Sequence, residues 1–169
     1  MNPSLAIGVL ALAIALPASA AEPPCSGSEY HQFDFWIGRW EVYSGDKLVG
    51  ENRIERISQG CALLETWRNA RGIEGRSINA YDAPSKRWRQ FWAGGDGGVL
   101  RLEGGLVGAE MVLEGTSPDA ATGRDVAQRI TYTPLPDGTM RQHWQAADGK
   151  GGWTTSFDGS YRRAEALQP

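Results

Sequence analysis

The sequence predicts an all-β fold, an antiparallel up-and-down β-barrel of about ten strands. Gly, Asp, Asn and Pro recur at short intervals, and the runs between them are rich in Val, Ile, Thr, Tyr and Trp. This pattern is typical of short strands joined by hairpins, and no segment shows a sustained helical period. Sequential hairpins must protect their outer edges, and closure into a barrel removes those edges. A sandwich of two sheets is the alternative.

The predicted strands are separated by residues that favour turns. In chain order these strands are residues 36–44, 47–58, 61–69, 75–82, 87–93, 99–103, 106–115, 125–133, 139–145 and 153–162. The clearest turns are residues 44–46, 84–86, 94–98, 136–138 and 148–152. Residues 28–35 are expected to form a short helix or a 3₁₀ turn before the first strand.

The N-terminal segment has the features of a secretory signal peptide. Residues 5–16 are apolar except for Gly8, and Pro17 is followed by Ala18-Ser19-Ala20, which fits an Ala-x-Ala cleavage site. We predict a signal peptide at residues 1–20, a β-barrel domain at residues 21–163 and a polar tail at residues 164–169. The expected location is therefore periplasmic or secreted, without a membrane anchor.

The charge of the chain argues against nucleic acid as a partner. The net charge is −3 and the basic residues are scattered, so nucleic acid is not an expected partner. The oligomeric state is left open.

Cys25 and Cys61 are the two cysteines, and an even count in an exported chain predicts one disulfide, with two free thiols as the alternative.

The first and last strands carry a pattern found in a known group of barrels. Gly38-Arg39-Trp40 opens the first strand and Tyr161-Arg162-Arg163 closes the last one. This resembles the calycin pattern, in which a Gly-x-Trp motif packs under a basic residue of the last strand. We assign this structural role to Gly38, Trp40 and Arg162, with the guanidinium lying on the indole at the closed end of the barrel.

A wider resemblance covers most of the chain. Residues 33–40, Phe-Asp-Phe-Trp-Ile-Gly-Arg-Trp, resemble the entry motif of a group of exported bacterial proteins of unknown function with a lipocalin-like barrel. Residues 75–82, residues 88–92 and Tyr161-Arg162 are similar to later motifs of that group. The resemblance implies the fold and the compartment, and it implies no established activity.

Alternation along the strands predicts which side chains point into the barrel, if charged residues point outward. The candidate ligand-binding residues are Trp67, Asn79, Tyr81, Trp88, Gln90, Trp92, Gln142 and Trp144. Buried amides must be hydrogen-bonded, either to one another in a filled core or to a ligand in an open cavity. In an open cavity this set favours a small polar and aromatic, or sugar-like, molecule.

Glu65 is the one carboxylate that alternation places inside. Desolvation would raise its pKa, which makes it the best candidate for an acid or base catalyst. The alternative is a structural ion pair, with Arg129 as the candidate partner. No metal or other cofactor is predicted, although an inward-pointing His143 could ligate haem, as in barrels that resemble nitrobindin. Alternation places His143 outside.

Three functions are compatible with these residues. The first is a binding or carrier protein for a small molecule. The second is an interaction or structural module with a filled barrel, which predicts no cavity and an exposed aromatic patch. The third is an enzyme, an isomerase, cyclase or hydrolase, that uses Glu65 in the same cavity. No Gly-x-Ser-x-Gly motif is present.

Overall fold

The computed structural model describes residues 23–164, which form one closed antiparallel barrel. The strands are β1 (Gly38–Ser44), β2 (Lys47–Ile57), β3 (Ala62–Asn69), β4 (Glu74–Asp82), β5 (Arg87–Gly94), β6 (Val99–Val107), β7 (Glu110–Pro118), β8 (Asp125–Pro134), β9 (Met140–Ala147) and β10 (Trp153–Arg163). Each strand pairs with its neighbours in sequence, and β10 pairs with β1. The up-and-down barrel is therefore confirmed, and the sandwich alternative is wrong.

Two predicted segments lie largely outside the described residues. These are the signal peptide at residues 1–20 and the polar tail at residues 164–169, of which Ala164 alone is described. Within residues 23–164, no helix has the length and apolar character needed to cross a membrane.

The prediction placed a break between the sixth and seventh strands at Gly104 and Gly105, and this break is wrong. Strand β6 continues through both glycines, and the chain turns at Gly108 instead. A Cβ at Gly104 would overlap with the carbonyl oxygen of Val112 on β7. Gly104 therefore allows β6 and β7 to approach closely. From the sequence alone, a glycine with this role looks the same as a glycine in a turn.

Two 3₁₀ helices, Ser28–His31 and Asp34–Trp36, precede β1 and close one end of the barrel. Phe33 and Trp36 are fully buried, and their rings stack with centroids 4.8 Å apart. Phe33 also meets the rings of Trp88 and Tyr132 edge-on, at 5.6 and 5.0 Å. This aromatic cluster fills the barrel at the end where β1 begins, which we call the closed end.

Covalent and ionic contacts hold this N-terminal segment in place. Cys25 and Cys61 form the predicted disulfide, with their Cα atoms 5.1 Å apart. Arg56 of β2 binds the carboxylate of Asp34 and donates to the Gly60 carbonyl oxygen at 2.7 Å. The closed end is thereby fixed to the connection between β2 and β3.

The indole of Trp40 lies under a guanidinium, but the residue is Arg163 and not the predicted Arg162. The Arg163 guanidinium carbon is 3.8 Å from the Trp40 ring centroid, whereas Arg162 lies over Tyr43 at 4.2 Å. Register explains the difference, because Trp40 pairs directly with Arg163 and neighbouring residues of a strand point to opposite faces.

Gly38 makes this arrangement possible. Its φ is +140°, and a Cβ at this position would overlap with the guanidinium of Arg163. With no side chain in the way, Arg163 reaches the carbonyl oxygen of Ile37, to which it donates at 2.6 Å. Trp40 is buried and donates to the carbonyl oxygen of Trp36 at 2.8 Å. Its ring face therefore packs against the Arg163 guanidinium while its indole N–H is hydrogen-bonded.

Candidate functional site

The barrel contains a cavity of about 220 Å³ between the aromatic cluster of the closed end and the opposite, open end. Its lining residues come from six of the ten strands: Glu65, Trp67, Gln90, Trp92, Leu100, Ile130, Tyr132, Gln142, Trp144, Ser156, Phe157 and Tyr161. Five of the predicted ligand-binding residues are in this set, namely Trp67, Gln90, Trp92, Gln142 and Trp144. Glu65, predicted to point inward, lines the cavity as well.

Three predicted ligand-binding residues do not line the cavity. Trp88 and Tyr81 belong to the closed end, where Trp88 donates to the side-chain oxygen of Gln32 at 3.2 Å and Tyr81 packs edge-on against Tyr30. Asn79 is buried beneath the cavity. All three point inward as predicted. Alternation determines the face of a strand that a residue occupies, but it does not determine the depth of that residue along the barrel.

A hydrogen-bonded polar layer forms the floor of the cavity around Glu65. The Glu65 carboxylate accepts one hydrogen bond on each oxygen, from Asn52 Nδ2 at 2.7 Å and from Ser77 Oγ at 2.6 Å. Both donors are neutral and buried. Asn52 and Ser77 lie on β2 and β4, the two strands that flank β3, so sheet pairing brings them to the carboxylate.

Two arms extend this layer to either side. On one side, Asn79 donates to Ser77 at 2.8 Å, and Gln90 donates to Asn79 at 2.7 Å and to the Tyr132 hydroxyl at 3.0 Å. On the other side, Asn52 is 3.4 Å from the Tyr161 hydroxyl, which donates to Gln142. Gln90 and Gln142 thus belong to a hydrogen-bonded network and also line the cavity, so the filled core and the open cavity expected as alternatives are combined here.

Burial dominates the electrostatics of Glu65, whose residue surface is 5% exposed. Desolvation raises the pKa of Glu65 from 4.5 to about 6, and the hydrogen bonds from Ser77 and Asn52 oppose that rise. Burial, followed by the charge of Glu65, raises the pKa of Tyr132 and Tyr161, so both phenols remain protonated near neutral pH.

Glu65 has no Lys, Arg or His within salt-bridge distance in the described part of the chain. Arg129, the partner considered from the sequence, points outward and pairs with Glu114 at 2.6 Å. That ion-pair alternative is therefore wrong. The carboxylate is balanced by neutral dipoles alone.

Several hydrogen-bonding groups of the cavity have no partner among residues 23–164. Gln90 uses its amide N–H groups on Asn79 and Tyr132, and its carbonyl oxygen accepts no hydrogen bond. The hydroxyl of Tyr132 accepts from Gln90 and donates to no described group, and the side-chain amide of Gln142 donates to none. These groups offer both donors and acceptors to a molecule in the cavity.

Aromatic side chains form the walls above this floor. Trp67, Trp92, Trp144 and Phe157 are half-buried, and Trp144 is held by a hydrogen bond from its N–H to Gln128 at 2.7 Å. Trp67, Trp92 and Trp144 also border an outer recess of about 550 Å³ whose rim includes the loop at residues 94–98. The cavity therefore opens toward solvent past these three indoles.

The two histidines lie away from the cavity. His143 is on the outer face of β9, 3.0 Å from the Thr155 hydroxyl, and His31 pairs with Asp34 at 2.8 Å in the N-terminal segment. The haem alternative required an inward His143, and this condition is not met. No group of three or more His, Cys, Asp or Glu side chains in the described range is arranged to hold a metal ion.

Several residues of the site were not among the ligand-binding or catalytic candidates predicted from the sequence. Asn52, Ile130, Tyr132, Phe157 and Tyr161 were among those missed. Alternation predicts the inward direction of some of them. Asn52, for example, lies between the exposed residues Glu51 and Arg53 on β2. A bulge between residues 155 and 157 interrupts this alternation in β10 and moves Phe157 into the barrel.

Comparison with known proteins adds no assignment to this geometry. No protein-family model matches the chain, and no curated protein matches its sequence. Membership of the exported lipocalin-like group therefore stays a prediction from the motifs.

Proposed function

We propose that this barrel binds a small molecule in its cavity as a carrier-type protein. The observation that carries the proposal is an interior space of about 220 Å³ with aromatic walls and a floor of polar groups that have free hydrogen-bonding capacity. Binding sites for small molecules combine apolar walls with a few positioned polar groups in this way. The ligand belongs to the polar and aromatic class that the sequence favoured.

The cavity also argues against a filled barrel. A polar group that is removed from water without a partner destabilises the fold by about 1–3 kcal/mol. Gln90, Gln142 and Tyr132 would each face this penalty in a closed, dry core. An occupant, either water or ligand, relieves it. A space smaller than the ~300–1,000 Å³ of drug-sized sites favours a ligand with one ring or a short chain.

The compartment that we propose is the periplasm or the exterior of the cell. The Cys25–Cys61 disulfide is compatible with an oxidising environment. The Ala-x-Ala segment at residues 18–20 supports the same location.

An enzyme is the second candidate, and Glu65 is the observation that favours it. A carboxyl group with a pKa of about 6 at the floor of a cavity suits general acid–base chemistry, such as isomerisation, cyclisation or hydrolysis. A carrier releases its ligand unchanged, whereas an enzyme converts it. Mass analysis of the bound molecule before and after incubation with the purified protein distinguishes these outcomes.

Native mass spectrometry tests the proposed binding. The protein, purified from a periplasmic extract, should carry a stoichiometric adduct under gentle activation and lose it under harsh activation. Ile130→Phe, which adds volume inside the cavity, should abolish the adduct, whereas Ile78→Phe on the outer face should retain it. A clean apo mass, together with unchanged tryptophan fluorescence across a metabolite panel, would contradict the proposal.

A further inference from the structure

We propose that the ligand of this cavity is a small organic cation, a protonated amine or amidine, whose positive group binds the carboxylate of Glu65. The inference rests on the proposed binding function and names the chemical class of its ligand. Three observations carry it: the charge of the cavity, the unused acceptors around that charge, and the aromatic faces above it.

The charge of the lining is uncompensated. Among the lining residues there is one carboxylate, Glu65, and there is no Lys, Arg or His. The other titratable groups that face it are the phenols of Tyr132 and Tyr161, which stay neutral because burial and the charge of Glu65 raise their pKa. A buried charge without a counter-ion is unfavourable, so a monocation in the cavity restores the balance.

The acceptors around Glu65 fit a cationic donor. Each carboxylate oxygen accepts one hydrogen bond from the protein and retains further capacity, so a planar amidinium or an ammonium group has room to donate. Gln90 contributes a carbonyl oxygen without a donor. The Glu65 carboxylate disfavours an anionic ligand, because two negative charges would then lie together in the cavity.

The aromatic walls fit the same class of ligand. Cations bind the electron-rich faces of Trp rings, and sites for quaternary ammonium groups are built from such faces. Trp67, Trp92 and Trp144 border the passage from the outer recess to Glu65, and Phe157 packs against Trp67 with ring centroids 6.5 Å apart. A cation therefore meets indoles on its way to the carboxylate, while an attached ring or short chain occupies the apolar part of the cavity.

Matched probe pairs test the charge of the ligand directly. Benzylamine and benzamidine are cations, and benzyl alcohol and benzamide are their neutral analogues of similar shape. Titration at neutral pH, followed by tryptophan fluorescence and calorimetry, should give at least tenfold tighter binding for a cation than for its neutral analogue. Benzoate should not bind, because it brings a second negative charge to Glu65.

Two variants separate the charge of Glu65 in the cavity from the effect of losing any one carboxylate from the protein. Glu65→Gln should weaken the binding of the cations at least tenfold and leave the neutral analogues within a few-fold of wild type. Glu51→Gln makes the same chemical change on the exposed side of β2 and should alter neither. A circular dichroism spectrum confirms that each variant is folded.

Proton release provides a measurement that needs no variant. Near pH 6, part of the Glu65 population is protonated, and cation binding should displace that proton into the buffer. Calorimetry in two buffers of different ionisation enthalpy should show this release for benzylamine and none for benzyl alcohol. Lowering the pH from about 7 to about 5 should weaken benzylamine binding roughly tenfold, because the carboxylate becomes neutral.

The failures of the two proposals are distinguishable. Neutral analogues that bind as tightly as the cations, or cation binding that is unchanged in Glu65→Gln, would overturn the cation assignment while binding in the cavity stands. Absence of binding by both cations overturns the assignment as well. In that case, native mass spectra of the protein from periplasmic extract decide separately whether the cavity binds a ligand of another class.

Discussion

Replacement of Glu65 by Gln removes the charge from the cavity floor and keeps a side chain of nearly the same size. One oxygen remains as an acceptor for Ser77 or Asn52. The new amide group can donate to the unpartnered oxygen of Asn52 if that side chain turns. The substitution therefore isolates the free energy associated with ionising Glu65 inside the barrel.

The magnitude follows from the pKa of Glu65, which rises from 4.5 to about 6 on folding. A difference of one pKa unit corresponds to about 1.4 kcal/mol, so ionisation in the folded state destabilises it by about 2 kcal/mol. Because the folded pKa is the higher one, the folded state binds more protons than the unfolded state between these two values. The folded state therefore gains stability from keeping Glu65 protonated. This contribution to the free energy of unfolding is fully present below pH 4.5 and is lost as the pH rises through about 6.

Urea denaturation at a series of pH values from about 4 to about 8 measures this effect. The free energy of unfolding of Glu65→Gln, minus that of the wild type, should increase by about 2 kcal/mol across this range. Most of the change should fall between the unfolded and folded pKa values of Glu65. The same series with Glu51→Gln reports the effect of losing a carboxylate from the exterior of the barrel.

Parallel stability curves for Glu65→Gln and the wild type would refute the reasoning. They would mean that the carboxylate ionises equally easily in both states, and that the cavity solvates it as well as bulk water does. A difference that decreased with rising pH would have the opposite sign. It would show that a cation of the protein stabilises the ionised form, contrary to the contacts of Glu65 in the structure.

Three further predictions concern the framework of the barrel. Reduction of the disulfide, which spans 36 residues, should lower the free energy of unfolding by about 4 kcal/mol in urea denaturation, and an unchanged midpoint would contradict this. Arg163→Ala should destabilise the fold by about 1–2 kcal/mol through loss of its cation–π contact with Trp40 and of its hydrogen bond. Arg162→Ala, which loses its cation–π contact with Tyr43, should destabilise the fold by less, about 0.5 kcal/mol; an equal loss in both variants would contradict the assignment. Gly104→Ala should destabilise the fold by about 1–3 kcal/mol, because the added Cβ would overlap with the backbone of β7. Gly105→Ala places its Cβ in open space and should be nearly neutral. Equal thermal unfolding midpoints for the two variants would contradict the assigned contact.

Local periodicity was sufficient to predict the barrel and the inward faces of β3, β4, β5 and β9. Gln90 lies between Arg89 and Phe91, which are exposed, and the alternation of charged and uncharged residues predicts its inward direction. The same reasoning placed Glu65 inside. These predictions depend on a period of two residues, which is a property of the strand itself and does not depend on its neighbours.

Register and depth depend on pairing between strands, and the sequence pattern does not contain them. Trp88 and Trp92 share a face of β5, yet Trp88 packs in the closed end and Trp92 borders the cavity. The choice between Arg162 and Arg163 likewise depends on which of them pairs with Trp40 across β1 and β10. The hydrogen-bond partners of Glu65 come from two other strands, so they emerge only once the sheet is assembled.

A barrel that is plugged by Phe33 and Trp36 at one end and open past Trp92 and Trp144 at the other has a kinetic consequence. Any occupant enters and leaves through the same passage, and water from the cavity must leave by that passage as well. Side chains at the mouth then set the height of a barrier that is crossed in both directions. Substitutions that alter only this barrier change association and dissociation rates by the same factor, whereas substitutions at the floor change the residence time and leave the entry rate alone. The speed of exchange is therefore set at the mouth, and the floor contributes to the strength of binding without affecting entry.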